Sequence, residues 1–141
     1  MASIAVTTAG KLHVVESREQ ATLPAASAIL AGDTVSIDSD GKFVKGDADG
    51  AGTLGVIYGI ATRSVAAGEP VTAIRRGVVS GYTFGSTAYW TAVLAADTAG
   101  EITVTSSESN GASADVTIGR VIPVWDQLVG GTPEKALLLT L

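Results

Sequence analysis

Short apolar runs separated by turn residues fill the chain from Asp33 onward. Val35 and Ile37 alternate with polar residues, which is the pattern of a half-buried strand. Comparable runs cover 54–62, 71–74, 78–84, 88–94, 101–105, 116–125 and 135–141. Turn signals at intervals of about 8 to 12 residues, with no alternation of strands and helices, predict a mainly β fold. We expect a small single-domain β-sandwich or barrel.

A short unit of turn and strand residues occurs twice. The first copy is Ala31-Gly32-Asp33-Thr34-Val35 and the second is Ala67-Gly68-Glu69-Pro70-Val71. A further glycine follows each copy at the same spacing, as Gly41 and Gly77. Each unit predicts a tight turn, an acidic residue and the start of a strand. In this interpretation Arg75-Arg76-Gly77 forms the tip of a hairpin between 71–74 and 78–84.

The N-terminal part is of a different character, and we predict an extended arm over residues 1–24 and a β-rich core over 25–141. Ser3–Gly10 has no strong pattern, and Leu12–Val15 could add a strand. Pro24–Leu30 is a weak helix candidate, because proline suits a first helical turn and Gly32 lies where a helix would end. At most one short helix is therefore expected.

Composition and charge exclude several classes of function. Charged residues are 16% of the 141 residues, against about 25% in an average globular domain. A surface so poor in charge is typical either of a small-residue β fold or of a protein largely covered by partners. The net charge of −5 argues against binding to nucleic acid. No apolar stretch is long enough to span a membrane, and no signal peptide is predicted.

The candidate chemical motifs are weak. Gly50–Gly55 matches a dinucleotide-binding pattern, but an acidic loop precedes it and a strand-like run follows, where a helix is required. Asp38–Gly41 and Asp47–Gly50 resemble pieces of calcium loops, yet neither continues to the required glutamate. His13 is the single histidine and Cys is 0, which leaves no zinc site or catalytic triad. We predict no catalytic residue, cofactor or metal, and a protein that is not an enzyme.

Four segments together resemble a known family. They are Ala67–Val71, Arg76–Gly81, Ser86–Trp90 and Ile118–Ile122. Their order and spacing resemble the capsid cement, or head decoration, proteins of tailed bacteriophages, in which a run similar to Gly55–Ala61 precedes the Ala-Gly-Glu turn. The resemblance covers roughly residues 31–124 and leaves both ends of the chain unmatched.

The resemblance implies a structural virion protein. It would be made in the bacterial cytoplasm, bind the major capsid protein on the outer capsid surface, and cement the expanded shell as a homotrimer at three-fold or quasi-three-fold positions. No nucleic acid and no membrane would be involved. The alternative is a tail, fibre or other virion surface β module that binds a host glycan or receptor, for which an exposed aromatic platform would be the discriminating feature.

The candidate contact residues come from segments that are apolar without a clear local partner, and from a few distinctive side chains. Trp90 is expected to anchor the core, whereas Trp125 lies near Pro123 at a predicted sheet edge and suits an interface. Arg75 and Arg76 could pair with a carboxylate of a neighbouring subunit. The predicted contacts to the shell or to other subunits are Ile4, Val6, His13, Arg75, Arg76, Trp125, Leu139 and Leu141.

Overall fold

The computed structural model describes residues 3–48, 56–105, 116–129 and 132–141, and within these ranges it contains strands and no helix. In chain order the strands are β1 (Ser3–Ile4), β2 (His13–Pro24), β3 (Thr34–Ile37), β4 (Phe43–Lys45), β5 (Gly59–Ala61), β6 (Pro70–Ser80), β7 (Ala92–Ala95), β8 (Ile102–Thr103), β9 (Thr117–Val129) and β10 (Thr132–Thr140). The prediction of a small, mainly β single domain is confirmed. No helix in these ranges is long and apolar enough to cross a membrane.

The strands form one antiparallel sheet that curls into a half-barrel. Its order is β1-β8-β7-β9-β10-β6-β5-β3-β4, and β2 pairs with β6 beside this path. The long strand β6 therefore has partners along its whole length. It pairs with β2 from end to end, with β5 at Ala73 and Ile74, and with β10 from Arg76 to Val79.

Backbone hydrogen bonds bring the β7–β8 turn against β3 and β4, at the far end of the strand order. The Thr34 N–H donates to the Gly100 carbonyl at 2.9 Å, and the Gly100 N–H donates to the Gly46 carbonyl at 2.7 Å. The Ala48 N–H donates to the Ala96 carbonyl at 3.1 Å. We call this set of bonds the seam. The seam joins the β7–β8 turn to β3 and to the residues after β4 by separate hydrogen bonds rather than by strand pairing.

Two clusters of apolar side chains form the core, and β6 contributes to both. Ile74 and Val79 belong to the larger cluster, while Val71 and Ala73 belong to the smaller one. The remaining members of the larger cluster come mainly from β5 and β7–β10, and those of the smaller cluster from β3, β4 and the 25–29 and 61–65 segments. Each fully buried Val, Ile, Leu or Phe contributes roughly 1.5–3 kcal/mol relative to exposure.

Both copies of the repeated unit form the predicted turn. Gly32 and Gly68 have φ values of 90° and 86°, which glycine adopts without the clash that a side chain would cause. In the first copy an Asp33 carboxylate oxygen accepts the Leu30 N–H at 2.8 Å. In the second, Glu69 accepts the Ala66 N–H at 2.7 Å. In each copy the carboxylate accepts the backbone N–H of the residue three positions earlier, which stabilises the turn. A strand starts directly after the acidic residue.

The predicted hairpin between 71–74 and 78–84 is wrong, because Pro70–Ser80 is one continuous strand. Gly77 is therefore not a turn glycine. Its lack of a side chain allows the β6 backbone to lie close to the β2 backbone. A Cβ atom on Gly77 would lie 2.2 Å from the Glu16 carbonyl oxygen of β2. The φ of 151° at Gly77 adds a backbone conformation that L residues rarely adopt. Bulges at this crossing shift the β2–β6 register.

The N-terminal segment lies on the core. β1 pairs with β8, and the Thr83 N–H donates to the Ala5 carbonyl at 2.8 Å. The predicted strand at 12–15 is part of β2, which continues to Pro24. The helix candidate Pro24–Leu30 is wrong, because Ala25 and Ile29 bridge to Phe43 and Val65 in extended backbone. Their burial in the smaller cluster favours extended pairing over a single helical turn.

The close approach at Gly77 predicts unequal costs for the two glycines that follow the repeated units. Gly77→Ala forces its Cβ into the β2 backbone, so we expect about 3 kcal/mol or more of destabilisation. Gly41 has a φ of 78° but open space around it, so Gly41→Ala should cost only about 1–2 kcal/mol. Urea denaturation of both variants measures the difference, and equal costs would contradict the close approach.

The acid-locked turn predicts a contrast at Asp33. Asp33→Ala leaves the Leu30 N–H without its acceptor and should cost about 1–2 kcal/mol, whereas the amide oxygen in Asp33→Asn can replace the carboxylate. Thermal denaturation at neutral pH compares the two variants. If Asp33→Asn destabilises as much as Asp33→Ala, the bond to Leu30 is not what matters at this turn.

Candidate interaction surface

The loop at residues 85–91 lies between β6 and β7 and is hydrogen-bonded to β10. The Lys135 ammonium donates to the carbonyls of Gly85, at 2.8 Å, and Thr87. It also lies 5.5 Å from the centre of the Tyr89 ring. The Tyr89 hydroxyl donates to the Pro133 carbonyl at 2.9 Å. These contacts fix the loop at both its beginning and its middle.

Trp90 is the residue that this loop presents to solvent. Its relative exposure is 59%, so the expectation that it anchors the core is wrong. Its φ of 70° makes it the single non-glycine residue with positive φ in the described ranges. The Trp90 N–H donates to the Val121 carbonyl, and the Arg120 guanidinium donates to the Trp90 carbonyl at 2.8 Å. Strand β9 therefore holds the Trp90 backbone on both sides.

One feature of the sequence is consistent with the exposure of Trp90, although the hydrophobic pattern predicts a core position. Tyr89 and Trp90 are adjacent, and neighbouring side chains in extended backbone point to opposite faces, so only one of the two would be expected to face the core. Tyr89 is half-buried and packs against the larger cluster, which leaves Trp90 outside. The left-handed backbone at Trp90 has no sequence signal, because tryptophan rarely adopts it.

The arginine pair lies within β6 and is engaged within the chain. Arg75 and Arg76 lie 3.7 and 3.9 Å from the Glu19 carboxylate of β2. Arg76 also donates to the Leu141 carbonyl at 2.6 Å, and the Arg75 guanidinium lies 5.7 Å from the centre of the Tyr58 ring. These side chains are about half exposed, so each ion pair contributes little to stability. Pairing with a neighbouring subunit stays a prediction.

Three predicted contact residues lie in the N-terminal segment. Ile4 and Val6 are half-buried and pack against the larger cluster, with Val6 bridged to Tyr82. His13 starts β2 and is exposed. The apolar character of Ile4 and Val6 is thus accounted for by contacts within the chain, whereas His13 remains accessible to a partner.

The other predicted contacts come from the last two strands. Leu139 is 2% exposed in the larger cluster, so it stabilises the core and offers no surface to a partner. Leu141 is half-buried against the same cluster. Trp125 belongs to β9, and its side chain lies outside the described residues. Among the described side chains, the exposed aromatic residue is Trp90.

A cleft with a volume of about 590 Å³ opens beside residues 7–14. Lys11, His13, Ser80 and Glu134 line it together with threonine hydroxyls. His13 and Ser80 are partners in the β2–β6 ladder, but within the part of the chain that the structure describes no side-chain hydrogen bond joins His13 to Ser80 or Glu134. No group of three or more His, Asp or Glu side chains there is placed to hold a metal ion. The cleft is a polar surface depression without an assembled nucleophile and base.

Half-buried Asp33 and buried Tyr82 lie next to each other beside the seam. Burial raises the pKa of Asp33, although its bond from Leu30 and the Lys45 ammonium at 3.4 Å act in the opposite direction. Burial also raises the pKa of Tyr82, helped by the charge on Asp33, and the Tyr82 hydroxyl donates to the Gly32 carbonyl at 2.6 Å. Both groups bond to the backbone of the first repeated turn, which gives them a structural role.

Compared with protein-family models, curated proteins and solved structures, the chain matches none. The function therefore has to be argued from the chain itself. Its described surface offers a fixed loop that carries an exposed tryptophan, flanked by the cations Arg120 and Lys135. This arrangement can bind a partner and has no reacting groups of its own. We call residues 85–91 with Arg120 and Lys135 the Trp90 loop site.

The clamp by Lys135 predicts a local effect when it is removed. Lys135→Met keeps much of the apolar stem but loses both bonds to loop carbonyls, so the Thr87 and Trp90 amides should exchange about tenfold faster or more. Hydrogen exchange measured by NMR checks this. Lys42→Met, at an exposed lysine of the 38–42 turn, is the matched control and should leave these amides unchanged. Equal protection in both variants would contradict the clamp.

The raised pKa of half-buried Asp33 predicts a pH dependence of stability. Because its pKa is raised in the folded protein, the folded state holds the proton more tightly than the unfolded state does. Its contribution to the free energy of unfolding therefore decreases as the pH rises from its ordinary pKa through the raised value. Asp33→Asn should remove this component of the slope. Denaturation of both proteins across that pH window measures it, and identical slopes would contradict the raised pKa.

Proposed function

We propose that this chain is a structural virion protein, a capsid cement protein of a tailed bacteriophage. It binds the outer surface of the expanded shell through the major capsid protein, and it acts as a homotrimer at three-fold or quasi-three-fold positions. It reaches the virion from the cytoplasm of the host bacterium. It needs no cofactor and carries out no reaction.

The observation that carries the proposal is the spatial proximity of the segments that resemble the cement family. Ser86–Trp90 hydrogen-bonds to β9 at Arg120 and Val121, within the Ile118–Ile122 segment. β9 pairs with β10, which pairs with β6 at Arg76–Val79, within the Arg76–Gly81 segment. Three of the four segments are therefore joined through neighbouring strands, while Ala67–Val71 lies at the other end of β6. Scattered chance similarities would not be expected to converge in this way. The convergence supports a shared structural unit.

The physical properties of the chain suit attachment to a lattice. A cement protein needs a rigid body and many individually modest contacts, since repeated sites on a shell convert weak single affinities into durable attachment. The seam and the continuous pairing of β6 provide rigidity. A net charge of −5 disfavours competition for packaged DNA.

The alternative, a virion surface module that binds a host glycan, is favoured by one observation. Trp90 is an exposed aromatic side chain, and sugars stack on such rings. Sugar sites also need polar side chains that bond the hydroxyl groups. At this site Arg120 and Lys135 already donate to backbone carbonyls of the loop. The cement role is therefore the better supported proposal.

The proposal predicts selective binding to expanded heads. Heads of the phage that encodes the chain are prepared without it, as unexpanded procapsids and as expanded shells. After mixing and sedimentation, the purified chain should accompany the expanded shells and raise the temperature at which they break open. Expanded shells already saturated with the chain serve as the control for nonspecific adhesion.

Absence of binding to expanded shells, or binding that leaves their thermal stability unchanged, would contradict the cement role. Equal binding to procapsids and expanded shells would contradict its dependence on expansion. Light scattering of the free and released chain measures the oligomeric state separately, and a monomer released from shells would contradict the trimer.

A further inference from the structure

Trp90 combines high exposure with a backbone conformation that its residue type disfavours. Its ring is the largest of the exposed apolar side chains in the described ranges, and its φ is 70°. An exposed ring gains little from burial that could offset an unfavourable backbone. Strained residues of this kind persist where the surrounding structure imposes them, and they occur often at functional sites. The strain at Trp90 therefore calls for a functional reason.

The surroundings of Trp90 impose this conformation with specific bonds. Val121 accepts the Trp90 N–H and Arg120 donates to the Trp90 carbonyl, while Lys135 fixes the preceding carbonyls of Gly85 and Thr87. The indole is thus held outward before any partner arrives. Preorganisation of this kind lowers the entropic cost of binding, and tryptophan and arginine are the residues that most often dominate binding energy.

The chemistry around the ring identifies the partner surface. The Trp90 side chain is 59% exposed, and an apolar pocket on a partner would bury its ring. The Arg120 guanidinium donates to the Trp90 carbonyl, and the Lys135 ammonium donates to the carbonyls of Gly85 and Thr87 in the same loop. These two basic side chains complement carboxylates on the rim of such a pocket.

We propose that Trp90 is the anchor by which this chain binds the shell, inserted into an apolar pocket of the major capsid protein whose rim carries carboxylates. This inference rests on the proposed function. It adds the residue that carries the affinity and the chemistry of the surface that receives it. Arg120 and Lys135 act as positioning residues that hold the loop and supply the complementary charge.

Trp90→Asn separates an anchor from a structural residue, because asparagine tolerates the left-handed backbone far better than tryptophan does. The affinity for expanded shells, measured by sedimentation, should fall about 30-fold or more. The midpoint of thermal denaturation of the free protein should stay equal or rise, since the strain is relieved. Leu30→Ala is the matched control, an exposed apolar residue at 56% outside the site, and should leave both values unchanged.

Each other outcome overturns the inference in a distinguishable way. If wild-type protein fails to bind expanded shells, the proposed function fails and the anchor fails with it. If wild-type protein binds and Trp90→Asn binds equally well, the anchor alone is wrong. Loss of binding together with a lowered denaturation midpoint would make Trp90 a structural residue. Binding of wild-type protein to a defined glycan on an array, lost in Trp90→Asn, would assign the ring to a sugar.

Discussion

The seam that joins the β7–β8 turn to β3 and β4 is the constraint on which the rest of the fold depends. Gly100 bonds to both Thr34 and Gly46, and it lies two residues before Ile102, a buried member of the larger apolar cluster. The first repeated turn lies at this seam. Its Asp33 carboxylate accepts the exposed Leu30 N–H, and its Gly32 carbonyl accepts a buried hydrogen bond from the Tyr82 hydroxyl. A buried polar group without such a partner would be costly, so the turn, the seam and the core stabilise one another.

The same closed framework explains how a small protein without cysteines can present a strained residue. β9 and β10 are packed between β7 and β6, and they hold the Trp90 loop through backbone and side-chain bonds. The strained backbone at Trp90 lies in a loop, and the strand that bonds to it, β9, also contributes buried side chains to the core. Within the described residues, the fold therefore presents an exposed aromatic side chain on a framework of paired strands.

Much of the fold was predictable from local pattern, and the failures have physical causes. The repeated units predicted two turns, because an Ala-Gly-acid sequence specifies both the left-handed glycine and the carboxylate that locks it. The hairpin at Gly77 was wrong because a glycine required by a neighbouring backbone cannot be distinguished in sequence from a turn glycine. Leu139 and Trp90 exchanged their expected roles, since the face of a residue depends on strand pairing, and pairing is a non-local property. The cement role remains a prediction from resemblance and geometry.

Electron cryomicroscopy of expanded heads with and without the chain measures whether and where the chain binds the shell. We expect additional density on the outside of the shell at three-fold or quasi-three-fold positions. Into that density the half-barrel should fit with residues 85–91 facing the major capsid protein and the Trp90 ring buried in it. Density on the tail or inside the shell, or no additional density, would contradict the cement role, and a Trp90 loop turned toward solvent would contradict the Trp90 anchor.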